Sequence, residues 1–354
     1  MRLAVICSRP PGGFGEPYLG VELKALKPLV SYLVVEPVRP PWSMRTTACA
    51  VALLATAPVR CMQALRDVAR GSGSVSVKLK NLLVFPRALA LAWDFRRQRI
   101  EHVHAYWLSV PATAALVISR VNGIPFSSTA HRWDISEKNM IAEKTRRASF
   151  VRAISERGRA ELRRLAPQHA EKISVVRLGT ALGKWAPLPQ SRREFRILCA
   201  AAFVPVKGHR LLLQAFARAH VALPHLQLTL CGCGPLEGAL RAQADALPCR
   251  NAITFRGYVL HEQLLRELQA GQYDAVALAS IDDGATLMEG VPSILIEAAS
   301  AGVPCIATRS GAVGELLDER SAFLVPPQDV PARCARTPRS STSVASRIAR
   351  ATRR

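Results

Sequence analysis

Glu289-Gly-Val-Pro-Ser-Ile-Leu-Ile-Glu297-Ala-Ala-Ser-Ala-Gly-Val-Pro304, continuing Cys-Ile-Ala-Thr308, sets two carboxylates into small and apolar side chains, with seven residues between them. Pro292 suits a first helical turn, where its missing N–H costs nothing, and Gly302 suits the position just past a helix end. The spacing therefore predicts a helix from Pro292 to about Ala301, with Glu289 in the loop before it and Glu297 inside it. A short apolar run follows at Cys305 to Thr308, so the stretch reads as the second half of a βαβ unit. The N–H groups of Val291, Ser293 and Ile294 are free at such a terminus and suit an anion such as a diphosphate. Burying a carboxylate without a donor is expensive, and hydroxyls on either side of a bound diphosphate would be donors for both. A nucleotide sugar offers that pattern, ribose on one side and hexose on the other.

The same alternation of short apolar runs and longer amphipathic stretches extends over most of the 354 residues. Strands are expected at Leu3 to Cys7, Val30 to Val38, His102 to Trp107, Phe126 to Ala130, Phe150 to Ile154 and Ile173 to Leu178. Helices between them include Glu137 to Arg147 and Glu156 to Leu165. After a polar, proline-containing stretch the pattern restarts, with strands at Ile197 to Ala202, Leu226 to Cys231, Ile253 to Gly257, Ala275 to Ala279 and Cys305 to Thr308. The expected class is α/β: two doubly wound, Rossmann-like domains facing a cleft, at residues 1–184 and 195–329, with 185–194 as linker.

Composition narrows the function. The apolar stretch Ala48 to Val59 falls short of the roughly 20 residues that cross a bilayer. The amino terminus reads as a first buried strand rather than a signal peptide, so a cytoplasmic protein is expected. Nine cysteines lack any CxxC pairing and read as reduced core thiols. His102 and His104 alternate on one strand with no third ligand in view, and read as packing rather than a metal site. The formal charge of +22 favours phosphorylated ligands, an anionic membrane surface or nucleic acid. Part of it lies between Arg132 and Lys172, where basic residues outnumber acidic ones 11 to 6. No aromatics interleave with these bases as in a nucleic-acid reader, so a phosphate or lipid surface is the expected partner.

Beyond these readings, several ordered segments resemble one family. Lys207-Gly208 followed by RLLLQAF, Cys231-Gly-Cys-Gly234-Pro-Leu, ITFRGYV, the Glu289/Glu297 pair, and AGVPCIAT with Gly311, Glu315 and AFLVPPQD are similar to the donor-binding half of retaining, two-domain glycosyltransferases of family 4 type. The amino-terminal half resembles the family in its glycine loop, Pro10-Pro-Gly12-Gly13-Phe-Gly15. Its further matches are Glu16 to Leu23 (an exopolysaccharide-type variant), Ser128-Thr-Ala-His131-Arg-Trp-Asp134 and Ala153-Ile-Ser-Glu156. The resemblance implies a GT-B type fold and sugar transfer from a nucleotide-sugar donor to a polysaccharide, lipid-linked or small-molecule acceptor, with retained configuration and no metal or other cofactor. It assigns Glu289 and His131 to catalysis. Donor binding falls to Lys207, Glu297, Gly12, Gly13, Ser293, Ile294 and Gly234, Lys207 facing the diphosphate and Glu297 the ribose.

Two positions depart from the family pattern: Ala202 stands where an arginine is usual, and Ala181 where an aspartate is. They leave open a catalytically impaired homologue, and the charge leaves open a basic nucleic-acid-binding protein. Residues 330–354 carry seven arginines and four serines but no acidic residue or apolar stripe, so a disordered tail is expected, from a truncated or frame-shifted end.

Overall fold

The computed structural model describes residues 1–8, 17–38, 43–180, 194–284, 287–319 and 321–327. Gly12, Gly13, Ala181, most of the expected linker and the basic tail lie outside those residues. The chain divides into two compact units, Met1–Gly179 and Thr180–Arg354, each an α/β layer structure around its own parallel sheet.

The first unit begins β1 (Arg2–Cys7), α1 (Pro17–Leu26), β2 (Tyr32–Pro37). Three helices follow, α2 (Met44–Thr56), α3 (Pro58–Ala69) and α4 (Val75–Arg97), and then β3 (His102–Ala105), α5 (Val110–Asn122) and β4 (Phe126–Ala130). It closes with α6 (Arg132–Glu137), α7 (Ile141–Arg147), β5 (Val151–Ala153), α8 (Glu156–Leu165) and β6 (Ile173–Val175). The sheet order is β2-β1-β3-β4-β5-β6, all parallel, with the order reversing between β1 and β3. Central strands read as unbroken apolar or small runs because helices cover both faces. Thus β4, FSSTA, is buried throughout, while the edge strand β2 is half-buried along its length.

The second unit runs β7 (Phe195–Ala200), α9 (His209–Ala222), β8 (Leu226–Cys231), α10 (Glu237–Asp245), β9 (Ile253–Gly257) and α11 (His261–Gln269). It continues β10 (Ala275–Leu278), α12 (Ser293–Ser300), β11 (Cys305–Thr308), α13 (Val313–Leu316) and β12 (Ala322–Val325). Its order, β12-β11-β10-β7-β8-β9, is that of a doubly wound nucleotide-binding sheet, with β7 and β10 adjacent at the centre. Successive crossovers diverge to either side of those two strands. A crevice therefore opens beyond their carboxyl ends, where such sheets hold ligands.

Two sequence expectations are corrected. The helix expected from Glu137 to Arg147 is broken into α6 and α7, because Lys138 and Met140 take left-handed backbone (φ 50° at each). The cause is Asn139 between them, whose side chain turns inward. Asn81 Nδ2 of α4 donates to Asn139 Oδ1 at 2.9 Å, and the Thr113 hydroxyl of α5 donates to Asn81 Oδ1 at 2.8 Å. A continuous helix would take Asn139 away from that network. The second correction is an addition. AFLV, read at first only as part of a motif, is the edge strand β12, in register with β11 from Cys305↔Ala322 to Thr308↔Val325.

The same network holds Lys144, a fully buried cation from the basic stretch Arg132 to Lys172. Its ammonium donates to Leu108 O and Ser109 O at 2.8 Å each and to Asn139 Oδ1 at 2.9 Å. This charge braces the loop after β3 and has no part in any surface potential. Burial pulls Lys144 down to about 7, against the opposing fields of Asp134, Glu137 and Glu143. Between that value and the ordinary 10.5, the unfolded chain holds a proton that the folded chain has released, so stability rises with pH. We expect the stability of the protein relative to Lys144→Met to grow by about 2 kcal/mol between roughly pH 7 and pH 9 in isothermal denaturation. A pH-independent difference would show that the lysine stays charged throughout.

Candidate active site

The two carboxylates meet their partners at the carboxyl end of the second sheet. Glu289 is 7% exposed. Lys207, at the end of the turn after β7, donates its ammonium to Glu289 Oε2 at 2.7 Å, and the Ser280 hydroxyl, just past β10, donates to the same oxygen at 2.7 Å. The Gly290 N–H donates to Oε1 at 3.0 Å. Burial alone would raise this carboxyl, but Lys207, Ser280 and the Gly290 amide outweigh it and hold Glu289 below the usual range. The loop is fixed from behind as well: the Glu289 N–H donates to Ser310 Oγ at 2.8 Å, and that hydroxyl donates to Ile281 O at 2.6 Å. Ile281 N in turn donates to Val206 O at 2.8 Å, tying the β10 loop to the β7 turn.

Glu297 lies one turn into α12, 4% exposed, and its Oε1 stands 3.0 Å from His261 Nε2 at the start of α11. Ser293 and Ile294 are the first two residues of α12, after Pro292 in extended conformation, and no side chain caps that terminus. The helix begins one residue later than the sequence spacing suggests, and Glu289 remains in the loop before it. Lys207, Glu289, Ser293, Ile294 and Glu297 thus belong to one end of one sheet.

Gly234 has a structural explanation of its own. At φ 158°, a Cβ there would sit 2.6 Å from Phe203 O, so the glycine lets the β8–α10 turn lie against the loop after β7. That contact is sealed by Leu236 N donating to Phe203 O at 3.1 Å and Phe203 N to Cys233 O at 2.9 Å.

In the first unit His131 is the residue before α6. Asp134 accepts its backbone N–H at 2.9 Å and the Ser109 N–H at 3.1 Å, so the His-x-x-Asp spacing builds a helix start. The imidazole is 4% exposed and packed among Trp107, Tyr106 and Tyr18, with ring centroids 4.1, 5.5 and 5.7 Å away. Its Nδ1 lies 3.5 Å from Asp134 Oδ2, and Nε2 has no hydrogen-bond partner among the described residues, an arrangement that is costly unless something else supplies one. His102 and His104 are different. His102 Nε2 and His104 Nδ1 each lie 2.8 Å from Ser127 Oγ, and His104 Nε2 lies 2.9 Å from Thr129 Oγ1, a ladder internal to the sheet. Among the described residues no three His, Cys, Asp or Glu side chains come together as metal ligands would.

Sequence reasoning missed Ser280, Ser310 and His261. Ser310 precedes the motif glycine Gly311, which was the one available signal; Ser280 shares the β10 loop with Glu289, and His261 reaches Glu297 from the start of α11.

The order of the second sheet, with a lysine–glutamate pair at its switch point, defines a two-domain α/β protein of GT-B type, and solved structures agree. The lipopolysaccharide outer core galactosyltransferase WaaB, apo form, superposes with a TM-score of 0.64 over 99% of this chain and 90% of that one, at 16% identity. Anabaena Alr3699/HepE, in complex with UDP and glucose, does so with a TM-score of 0.63 over 100% and 95%, also at 16% identity. In sequence, residues 194–338 match the family described as "Glycosyl transferases group 1". The GDP-mannose-dependent alpha-(1-6)-phosphatidylinositol monomannoside mannosyltransferase of Mycobacterium tuberculosis is 25% identical over 288 residues, covering 74% of this chain and 72% of that protein.

Gly311 sets how closely the β11 loop approaches Glu289. At φ 55°, an added Cβ would lie 1.8 Å from Glu289 O and 2.8 Å from its carbonyl carbon. Gly257 has a similar φ of 66° but nothing within 4 Å of such a Cβ. Gly257→Ala should cost about 1 kcal/mol, the conformational penalty alone. Gly311→Ala should cost roughly 2 kcal/mol more, by displacing Glu289. Equal losses in thermal denaturation would mean that the Glu289 loop yields freely.

Proposed function

We propose that the protein transfers a sugar from a nucleotide-sugar donor to a saccharide or lipid-linked acceptor, with retention of configuration and without a metal ion. The observation that carries this reading is the Lys207–Glu289 pair at the switch point of a sheet whose sequence matches the group 1 glycosyl transferases. Lys207 spends one of its three N–H groups on Glu289, and its side chain keeps 20% exposure toward the crevice. One ammonium can then hold the carboxylate in place and face the donor's diphosphate. That is where negative charge develops as the sugar–phosphate bond breaks, and where a fixed cation lowers the barrier most.

The other roles follow from position. The uncapped start of α12, with the amides of Ser293 and Ile294, offers donors to the diphosphate. Glu297, steadied by His261, accepts from ribose hydroxyls. Glu289 keeps one oxygen, Oε1, bonded among the described residues only to the Gly290 amide and presents it to the hexose. His131, whose Nε2 has no hydrogen-bond partner among the described residues, orients or polarises sugar hydroxyls. In a retaining transfer the acceptor oxygen bonds the anomeric carbon on the face the diphosphate leaves, and a donor phosphate oxygen takes the acceptor's proton. No side chain then has to act as base, which fits a Glu289 already committed to a cation. The names of the similar proteins support the substrate classes: a galactosyltransferase of lipopolysaccharide, a complex with UDP and glucose, and a mannosyltransferase that uses GDP-mannose.

Glu289→Gln should lower turnover of the cognate nucleotide sugar about a hundredfold or more while UDP or GDP affinity changes little. Glu297→Ala should weaken nucleotide affinity about tenfold, the loss of a charge-assisted hydrogen bond. Calorimetric titration and initial rates separate the two. Near-normal turnover in the first variant, or unchanged affinity in the second, would remove that residue from its role. Activity should also persist in EDTA; loss restored by manganese would contradict the metal-free mechanism.

A further inference from the structure

The helices between β2 and β3 carry a surface that the transfer reaction does not use. On α2 the outward side chains Met44, Val51 and Leu54 are exposed, and from Thr46 through Val59 there is no charged residue. A helix apolar on both its buried and its outward face is unusual in contact with water. On α3 the exposed face runs Val59, Met62, Arg66, Arg70, apolar at one end and basic at the other, with Val59 and Met62 66% and 70% exposed. No single helix among the described residues is long and apolar enough to cross a membrane. The α2–α3 pair bends by 113°, so its two outward faces suit lying in an interface rather than spanning one.

The basic end of α3 opens on a cavity of about 250 Å³ lined by Arg66 and Arg70, by Arg146 and Arg147 of α7, and by Asp67 and Glu143. Of the two carboxylates, Asp67 is paired with cations, whereas Glu143 meets neutral donors and keeps its charge. Asp67 pairs with Arg147 at 3.1 Å and Arg120 at 3.5 Å, while Glu143 accepts the Ser72 amide at 2.7 Å and its hydroxyl at 3.0 Å. Among the described residues Arg66, Arg70 and Arg146 pair with no carboxylate. Four guanidinium groups against two carboxylates leave the hollow net positive, and beside an exposed apolar face this matches an anionic phospholipid: phosphate at the cavity, acyl chains at α2 and α3. A second copy of the chain is a poor occupant, since it would bring the same cations and the same charge of +22 to the contact.

We propose that the α2–α3 surface docks the protein on anionic phospholipid, the four-arginine cavity receiving a headgroup phosphate. The proposal does not depend on the transferase reading, and its test requires no activity. The full-length protein is floated with vesicles of phosphatidylcholine alone or mixed with phosphatidylglycerol, at low and high salt. Circular dichroism confirms that each variant is folded. Wild-type protein should float with the mixed vesicles only and be released by salt. Arg66→Glu with Arg70→Glu should lower partitioning at least about tenfold, and Val51→Ser with Leu54→Ser and Met62→Ser should also lower it. Equal flotation with phosphatidylcholine alone, or full flotation of the folded arginine variant, would overturn the proposal. So would a concentration-dependent dimer abolished by the serine variant, which assigns the face to a second copy. Inorganic phosphate binding that the arginine variant loses, with flotation unaltered, would make the cavity a free-anion site instead.

Discussion

A carboxylate buried at the centre of a sheet has to be matched by a cation, and the cation has to arrive from a different strand. That constraint organises the second unit. Glu289 belongs to the loop after β10, while Lys207 follows β7, and only the adjacency of those two strands lets them meet at 2.7 Å. The sheet order has to be the one observed, and the loops have to close tightly enough to exclude water. Ser280 and Ser310 accomplish the closing by bonding to the carboxylate and to the backbone around it. Removing either charge would strand the other in a buried place, which is more costly than the pair is favourable. The pair therefore acts on the fold as a position-fixing device and on chemistry as a fixed dipole.

The two units solve the same architectural problem differently. Both carry six parallel strands with helices on either side, and both reverse strand order beside their first strand. In the second unit each crossover is a single helix or a loop and helix, which keeps the carboxyl ends accessible. The first unit inserts three helices, residues 44–97, between its second and third strands. Their inner faces supply much of the core, with Leu53, Cys61, Ala64, Leu91 and Phe95 buried against the sheet layers. Their outer faces are free to be something other than solvent-facing polar surface, and α2 is.

Most of this architecture was legible because a doubly wound sheet writes itself in short apolar runs ended by turn residues. Phe126–Ala130, Leu226–Cys231, Ile253–Gly257 and Cys305–Thr308 have the ends their composition implies. What escaped was decided at long range. Asn139 looks like any helix residue until Asn81, 58 positions away, draws it inward and breaks the helix. Lys144 looks solvated until the loop after β3 closes over it. Of the site, the glutamate pair and Lys207 stood out by spacing. Their hydrogen-bond partners Ser280 and His261 did not, since no local rule marks which serine or histidine a fold will bring to a carboxylate. Gly234 has a second reason to be glycine, since the space a side chain would need is taken by the chain itself.

The charge of +22 illustrates why a total says little until it is placed. Arg152 donates both ends of its guanidinium to Glu22, at 2.8 and 2.7 Å, with the Tyr106 hydroxyl donating to the same carboxylate at 2.7 Å. Arg256 grips Glu267 in the same bidentate way, at 2.6 and 2.9 Å. Such cations are internal braces whose fields are cancelled within a few ångströms. Lys207 is half committed, to a carboxylate on one side and a crevice on the other. Only where guanidinium groups outnumber the carboxylates within reach, as around the hollow between α3 and α7, does the excess become a property of the surface. The sign of that surface is set by Arg66, Arg70 and Arg146 against Glu143, because Arg147 and Asp67 already neutralise each other.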